Sequence, residues 1–289
     1  MSILIDRNTK IAIHGMTGHQ GRLHGARMIA DGANVVCGIS PGKGGSRVLD
    51  RPIYNSVSEA MEHEHIDASL ILVPPLAVRD SAVEAIENGI KVISVIADGV
   101  PIHDTMYIRS LAKKYGAVVS GPNTTGIISP GKSKLGIMPA MLYLEGNIGI
   151  ISRSGSLTHE TASALTVNGI GQSTCFGIGG DPVPASTYTQ ILELFRKDKD
   201  TSAVVMICEI GGTNEDDAAD YILSTHYPKP IFAFIAGKTA PPEKSMGHAG
   251  AIVSNNAGSA SVKKQKLEKG GVTVVETFEE LVEAIKMKV

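Results

Sequence analysis

His248 stands in a run of small residues, Gly247-His-Ala-Gly-Ala251, which follows Lys244-Ser-Met246. Gly247 and Gly250 carry no Cβ, so the backbone on both sides of the histidine can approach a ligand closely. Imidazole is a competent nucleophile when a second group orients it. His248 is therefore a candidate to carry a phosphoryl group as a covalent intermediate. The plain alternative is a turn without chemistry, the fate of most histidines. Glu209 is a candidate for the orienting group. It lies at the carboxyl end of a predicted strand, beside Gly211-Gly212. A carboxylate there can accept a proton from one ring nitrogen, fix the tautomer and leave the other nitrogen to attack.

Three further turns have the composition of anion sites. Gly15-Met-Thr-Gly-His-Gln-Gly21 follows a predicted strand over 10–14 and precedes a helical pattern from 22 to about 31. Strand, glycine-rich turn and helix together present backbone N–H groups and a helix dipole to an anion. The spacing is G-x-x-G-x-x-G, which departs from the dinucleotide pattern G-x-G-x-x-G. After the second strand, 35–39, the chain reads Ser40-Pro-Gly-Lys-Gly-Gly45 where an NAD site places a carboxylate for the ribose. Lys43 attracts a phosphate instead. An adenosine bearing a 3′-phosphate, as in coenzyme A, fits that chemistry, and a NAD-linked oxidoreductase does not. The third turn, Arg153-Ser-Gly-Ser156, leads from a strand over 147–152 into a helix over 157–167. Ser154, Gly155 and Ser156 can hold phosphate with hydroxyls and helix N–H groups, whereas an ordinary N-cap would use one serine only.

The elements that must position these residues alternate between strand and helix. Strands are predicted over 68–73, 91–96 and 117–120, with a helix over 80–88 stopped at Gly89. Parallel sheets follow from this spacing, and ligands then gather at the strands' carboxyl ends. The turn Ile96-Ala97-Asp98 is thus a third wall of the first site. Further strands are predicted up to Gly177, over 203–207 and over 230–235, with helices over 187–196 and after Thr277. The last helix opens on the capping box Thr277–Glu280 and turns Leu281, Val282 and Ile285 inward. The reading is an α/β protein with a first domain over 1–125, a crossing segment over 126–146 and a second domain over 147–289.

Composition excludes several classes. Aromatic residues make up 4% and Trp is absent, so base-stacking platforms for nucleic acid are not expected. Lys and Arg number 27 against 29 Asp and Glu, which leaves no basic surface for nucleic acid or an anionic membrane. Cys37, Cys175 and Cys208 are far apart and read as buried small hydrophobes in a reducing compartment. His24, His63, His65, His103 and His226 lack metal-ligand spacing and are expected on the surface or in loops. No signal peptide or membrane span is apparent, so a cytoplasmic chain is expected, or a mitochondrial matrix protein without its presequence.

Taken in order, Met16-Thr-Gly-His-Gln-Gly21, Ser40-Pro-Gly-Lys-Gly-Gly45, Gly121-Pro-Asn123, Ile151-Ser-Arg-Ser-Gly155, Gly177-Ile-Gly-Gly-Asp-Pro182, Glu209-Ile-Gly-Gly212 and Met246-Gly-His-Ala-Gly-Ala251 resemble the succinyl-CoA synthetase α-subunit family nearly end to end. The resemblance implies an N-terminal Rossmann-like CoA-binding domain and a C-terminal flavodoxin-like ligase domain. It implies His248 as the phosphorylated residue with Glu209 as its partner. CoA would lie along Thr17, Gly18, His19, Gln20, Lys43, Ile96, Ala97 and Asp98. ATP or GTP with Mg2+ would be held mainly by an ATP-grasp-type β subunit, in an αβ or α2β2 assembly. Where the family usually has Gly-Pro-Asn-Cys-Pro-Gly, this chain has Thr124-Thr125. His159 replaces a tyrosine that frames the organic acid, and Ala97-Asp98-Gly99 replaces Thr-Glu-Gly. Succinate is the expected acid, with malate or citrate as the alternatives that a more polar pocket suggests. A non-catalytic CoA-responsive relative would be expected to lack His248 or Glu209.

Overall fold

Short, mostly buried runs rich in aliphatic residues build the central strands, and the turns at their carboxyl ends carry the polar residues singled out above. The computed structural model describes residues 2–240, 247, 248, 250–252 and 258–289. Lys244, Ser245, Met246 and Ala249 of the histidine motif lie outside the described residues. The chain divides into one unit of Leu4–Ala140 with Val183–Ser186 and a second built mainly of Met141–Pro182 and Thr187–Val289.

In the first unit the strands are β1 (Ile11–His14), β2 (Val35–Ile39), β3 (Arg47–Val48), β4 (Arg51–Tyr54), β5 (Ala68–Ile71), β6 (Val92–Val95) and β7 (Val118–Ser120). They lie in the order β3-β4-β2-β1-β5-β6-β7, parallel throughout except for the short β3–β4 pair. Without β3 this is the Rossmann order, which reverses direction between β1 and β5 and opens a crevice there. Helices α1 (His19–Ala30), α2 (Val57–Met61), α3 (Val78–Glu87) and α4 (Ile102–Tyr115) cover the sheet. The sequence reading did not assign α4, which ends at Gly116 in the left-handed region (φ 66°).

Helix α1 begins three residues earlier than the sequence pattern suggests. Gly18 adopts an extended N-cap conformation and its carbonyl accepts from the Arg22 N–H. Gly21 therefore lies inside the helix. A Cβ on Gly21 would stand 2.2 Å from the Gly15 carbonyl oxygen, so this glycine brings the helix onto the turn rather than shaping the turn itself. Residues 126–140 belong to the first unit and form an antiparallel hairpin of β8 (Gly126–Ser129) and β9 (Ser133–Gly136).

The second unit contains β10 (Glu145–Ser152), β11 (Gln172–Gly177), β12 (Ala203–Glu209), β13 (Ile231–Ala236) and β14 (Thr273–Val275). These parallel strands run in the order β11-β10-β12-β13-β14, the flavodoxin-like arrangement with its reversal between β10 and β12. Around them lie α5 (Gly155–Val167), α6 (Tyr188–Lys197), α7 (Asn214–Ser224), α8 (Ala260–Lys269) and α9 (Phe278–Lys288). Strong amphipathicity drives α6 inward through Ile191, Leu192 and Phe195. Phe195 lies on Gly149 of β10, where a Cβ would be 2.6 Å from the ring. Cys37, Cys175 and Cys208 are buried and free. Among the described residues, no helix is long and apolar enough to cross a membrane.

Candidate active site

In the second unit the strand order brings Arg153 and Glu209 together, because β10 and β12 are neighbours at the reversal point and Ser152 pairs with Ile207. Glu209 ends β12 and its carboxylate divides between two partners. Oε2 lies 2.6 Å from His248 Nδ1, and Oε1 lies 2.9 Å from Arg153 Nε. Arg153 is 1% exposed and Glu209 6%, whereas the His248 side chain keeps 26% of its surface in solvent. The carboxylate is thus held from behind by a buried guanidinium and in front presents an acceptor to the imidazole. Arg153 also donates from Nη2 to the Asp181 carbonyl at 3.0 Å, tying the strand end to the Gly177–Pro182 turn.

The hydrogen bond to Glu209 raises the His248 pKa above its usual 6.5, with burial opposing it. The Glu209 charge and Asp181 add to the increase, and the Arg153 charge subtracts from it. With Nδ1 turned to the carboxylate, Nε2 is the ring atom placed for chemistry. The ring lies against Gly180, where an added Cβ would come within 2.5 Å of Cδ2. Gly250 and Gly211 also accommodate close packing. A Cβ on Gly250 would stand 2.8 Å from Arg153 Nη2, and one on Gly211 would stand 2.2 Å from the Gly250 carbonyl oxygen.

Ser154 is the N-cap of α5, its Oγ accepting from the Leu157 N–H at 3.4 Å and lying 3.3 Å from Ser156 Oγ. The helix starts at Gly155, two residues before the sequence boundary, so Gly155 and Ser156 lie in its first turn. His159 is in the same helix, and its Nδ1 is 2.7 Å from the Tyr143 hydroxyl. Burial lowers the His159 pKa and raises that of Tyr143 well above its usual value. The imidazole and the phenol are therefore both neutral and share one hydrogen bond, whose direction follows the ring tautomer. Thr124 and Thr125 belong to the first unit. Thr124 Oγ1 accepts from the Gly126 N–H at 3.2 Å and lies 3.4 Å from Ser120 Oγ, so that hydroxyl serves its own turn. The Thr125 hydroxyl is buried with no partner among the described residues.

The first unit collects the other predicted residues at the carboxyl ends of its sheet. Thr17, Gly18, His19 and Gln20 follow β1, and no side chain caps α1 at Gly18. Thr17 Oγ1 donates to Ser40 Oγ at 3.2 Å, which joins this turn to the one after β2. Lys43 is exposed on that second turn, which Asn55 Oδ1 stiffens by accepting from the Gly42 and Gly44 N–H groups at 2.9 and 3.0 Å. Ile96, Ala97 and Asp98 follow β6. The Ile96 N–H donates to Ile71 O at 3.3 Å, and the Ala97 carbonyl accepts from the Asn123 N–H at 2.8 Å. The N-terminus of α1, which no side chain caps, and a lysine on a glycine-rich turn suit the phosphates of a CoA-like ligand.

Comparison with known proteins agrees with both halves. Residues 6–99 match the family described as CoA binding domain, and residues 151–284 match the family described as CoA-ligase. The chain is 46% identical over 285 residues to succinate–CoA ligase [ADP-forming] subunit alpha 2 of Archaeoglobus fulgidus, covering 99% of both chains. The chain belongs to the α-subunit family of ADP-forming CoA ligases. It is also 46% identical to malate–CoA ligase subunit alpha of Methylorubrum extorquens, covering 95% of this chain and 94% of that one. A third relative is the ADP-forming sulfoacetate–CoA ligase subunit SqwL of an Acholeplasma species, 45% identical over 96% of this chain and 94% of its own.

As an α subunit of such a ligase, the chain is an enzyme component that acts with a β subunit. Its CoA-binding half and its ligase half correspond to the two α/β units described above. Sequence reading quoted Arg153 but gave it no role. Its signal was present, an arginine directly after a parallel strand, but only the lateral order of β10 and β12 places it on Glu209. Asp181 and Gly180 escaped for the same reason. His14 ends the strand predicted over 10–14. It is buried in β1 with Nε2 2.9 Å from Ser69 Oγ, and burial lowers its pKa to about 4, so it is a neutral packing group. His24 and His103 lie on helices α1 and α4, His24 half-buried and His103 exposed, in keeping with the surface placement.

Proposed function

We propose that His248 is phosphorylated by a nucleoside triphosphate and passes the phosphoryl group to an organic acid, whose acyl phosphate is then captured by CoA. The observation that carries this reading is the 2.6 Å contact between His248 Nδ1 and Glu209 Oε2, with Glu209 held by buried Arg153. Nε2 of the neutral imidazole attacks the terminal phosphorus, forming an N–P bond as the bond to the nucleoside diphosphate oxygen breaks. Glu209 accepts the Nδ1–H throughout and balances the charge that the ring gains. A substrate carboxylate oxygen next attacks phosphorus and the N–P bond breaks, giving the acyl phosphate. The CoA sulfur attacks the acyl carbon, phosphate leaves and the thiol proton is released.

The N-terminus of α5, with Ser154, Gly155 and Ser156, is proposed to hold the phosphoryl group in transit. CoA is proposed to run along residues 17–20, Lys43 and residues 96–98, with its 3′-phosphate near Lys43. ATP or GTP with Mg2+ is assigned to an ATP-grasp-type β subunit, in an αβ or α2β2 assembly of the cytoplasm. Succinate is the first acid to test. The departures from the family pattern at Thr124, Thr125 and His159 support a more polar acid, with malate or citrate as the alternatives, and the sulfoacetate–CoA relative adds a sulfonate to the set. The test is CoA-thioester formation by this chain with its β subunit on succinate, malate, citrate and sulfoacetate at equal concentration. Turnover of one of these acids that disappears in His248→Asn is expected. Undiminished turnover in that variant would overturn the mechanism.

A further inference from the structure

Lys263 and Glu215 form an ion pair in which both side chains are 0% exposed, and the mechanism above uses neither. A fully buried ion pair is weak evidence for stability. Desolvation of two charges cancels most or all of their attraction, and well-packed apolar residues of the same volume often do as well. The connections of this pair are specific. Lys263, on α8, donates from Nζ to the Gly211 carbonyl at 2.7 Å. Glu215, on α7, accepts the Glu209 backbone N–H on Oε1 at 3.4 Å. The pair thus grips the chain on both sides of Ile210, immediately after the carboxylate that orients His248.

Gly211 is also where the histidine loop is seated. Its φ is +85°, and a Cβ there would stand 2.2 Å from the Gly250 carbonyl oxygen and 2.8 Å from the Ile252 nitrogen. The Gly211 N–H donates to Gly258 O at 2.9 Å, which closes the other end of the loop onto the same residue. A shift in the Gly211 turn would therefore move the Glu209 carboxylate and the His248 backbone relative to one another. We propose that the Lys263–Glu215 pair is a positioning device that sets the Glu209–His248 distance, and so the reactivity of the imidazole. Its consequence for catalysis rests on the phosphohistidine reading. Its consequence for the Glu209–His248 hydrogen bond does not.

The test uses the full chain, alone and with its β subunit, as the double variant Lys263→Met/Glu215→Leu and the single variant Glu215→Gln. Three quantities are read: the titration midpoint of His248 by NMR, the rate of phosphoryl uptake, and CoA affinity. The groups that set the His248 midpoint are Glu209, Arg153 and Asp181. The double variant is expected to fold and to bind CoA as the parent does. Its His248 midpoint is expected to fall toward 6.5, and phosphoryl uptake to slow by about 10- to 100-fold, the loss that a misplacement of about 1 Å brings. An unchanged midpoint with an unchanged uptake rate would overturn the proposal. Should the double variant not fold, Glu215→Gln, which keeps the shape and removes the charge, decides by the same readouts. Failure of the parent complex to take up phosphoryl would sink the catalytic reading, while the midpoint would still judge the positioning role.

Discussion

At the scale of the residue, the site is a contest between two charges for one imidazole. Glu209 raises the His248 pKa and Arg153 lowers it, so their removal should move the pH profile in opposite directions. In the proposed mechanism the nucleophile is the neutral ring, so phosphoryl uptake should rise with pH and reach half its plateau above 6.5. In Glu209→Gln the midpoint should fall, and the plateau rate should drop on the order of 100-fold as the ring loses its acceptor. Removing the guanidinium in Arg153→Met should instead raise the midpoint. That variant should also lose about 3–5 kcal/mol of stability, because Glu209 stays buried without its cation. Rapid-quench rates across pH 5–9 and a denaturant melt check all three. Movement of both midpoints in one direction would contradict the assigned charges.

At the scale of the element, the candidate residues of each unit follow the carboxyl ends of strands, after β1, β2 and β6 in the first and at the β10/β12 reversal in the second. The glycines at these strand ends admit close contacts rather than flexibility. Gly180→Ala places a methyl 2.5 Å from the His248 ring. It is expected to cut phosphoryl uptake about tenfold or more while CoA affinity holds, since the turns proposed to bind CoA lie in the other unit. Lys43→Ala should weaken CoA about tenfold and leave dephospho-CoA binding unchanged, as measured by titration calorimetry, if Lys43 meets the 3′-phosphate. Features that depend on residues adjacent in the chain were readable from sequence. The glycine turns, the Ser154 cap, the strand-end Glu209 and the His248 run are all of this kind. What could not be read depends on lateral order. Arg153 meets Glu209, and Lys263 meets Glu215, only because particular strands and helices lie side by side. Helix α4 is not legible by periodicity alone although Pro101 opens it and Gly116 closes it, and α1 reads late because Gly21 has the composition of a turn residue.

At the scale of the whole molecule, the chain is one subunit of a ligase, and relatives of near-equal similarity act on different acids. Overall likeness therefore does not choose the substrate, and the choice falls to a few side chains. His159, kept neutral by burial beside the Tyr143 hydroxyl, stands where the family has a tyrosine. His159→Tyr should change the ranking of acids by KM and leave the His248 phosphorylation rate alone. An unchanged ranking would remove His159 from selection. The central claim, however, is the phosphohistidine. Its most direct measurement is to incubate the complete complex with nucleotide labelled on the terminal phosphate, then follow the label on this chain through acid and alkali. The account predicts a label on His248 that is lost in acid, survives alkali and is discharged by the organic acid with CoA. A label on Ser154 or Ser156 that survives acid would contradict it.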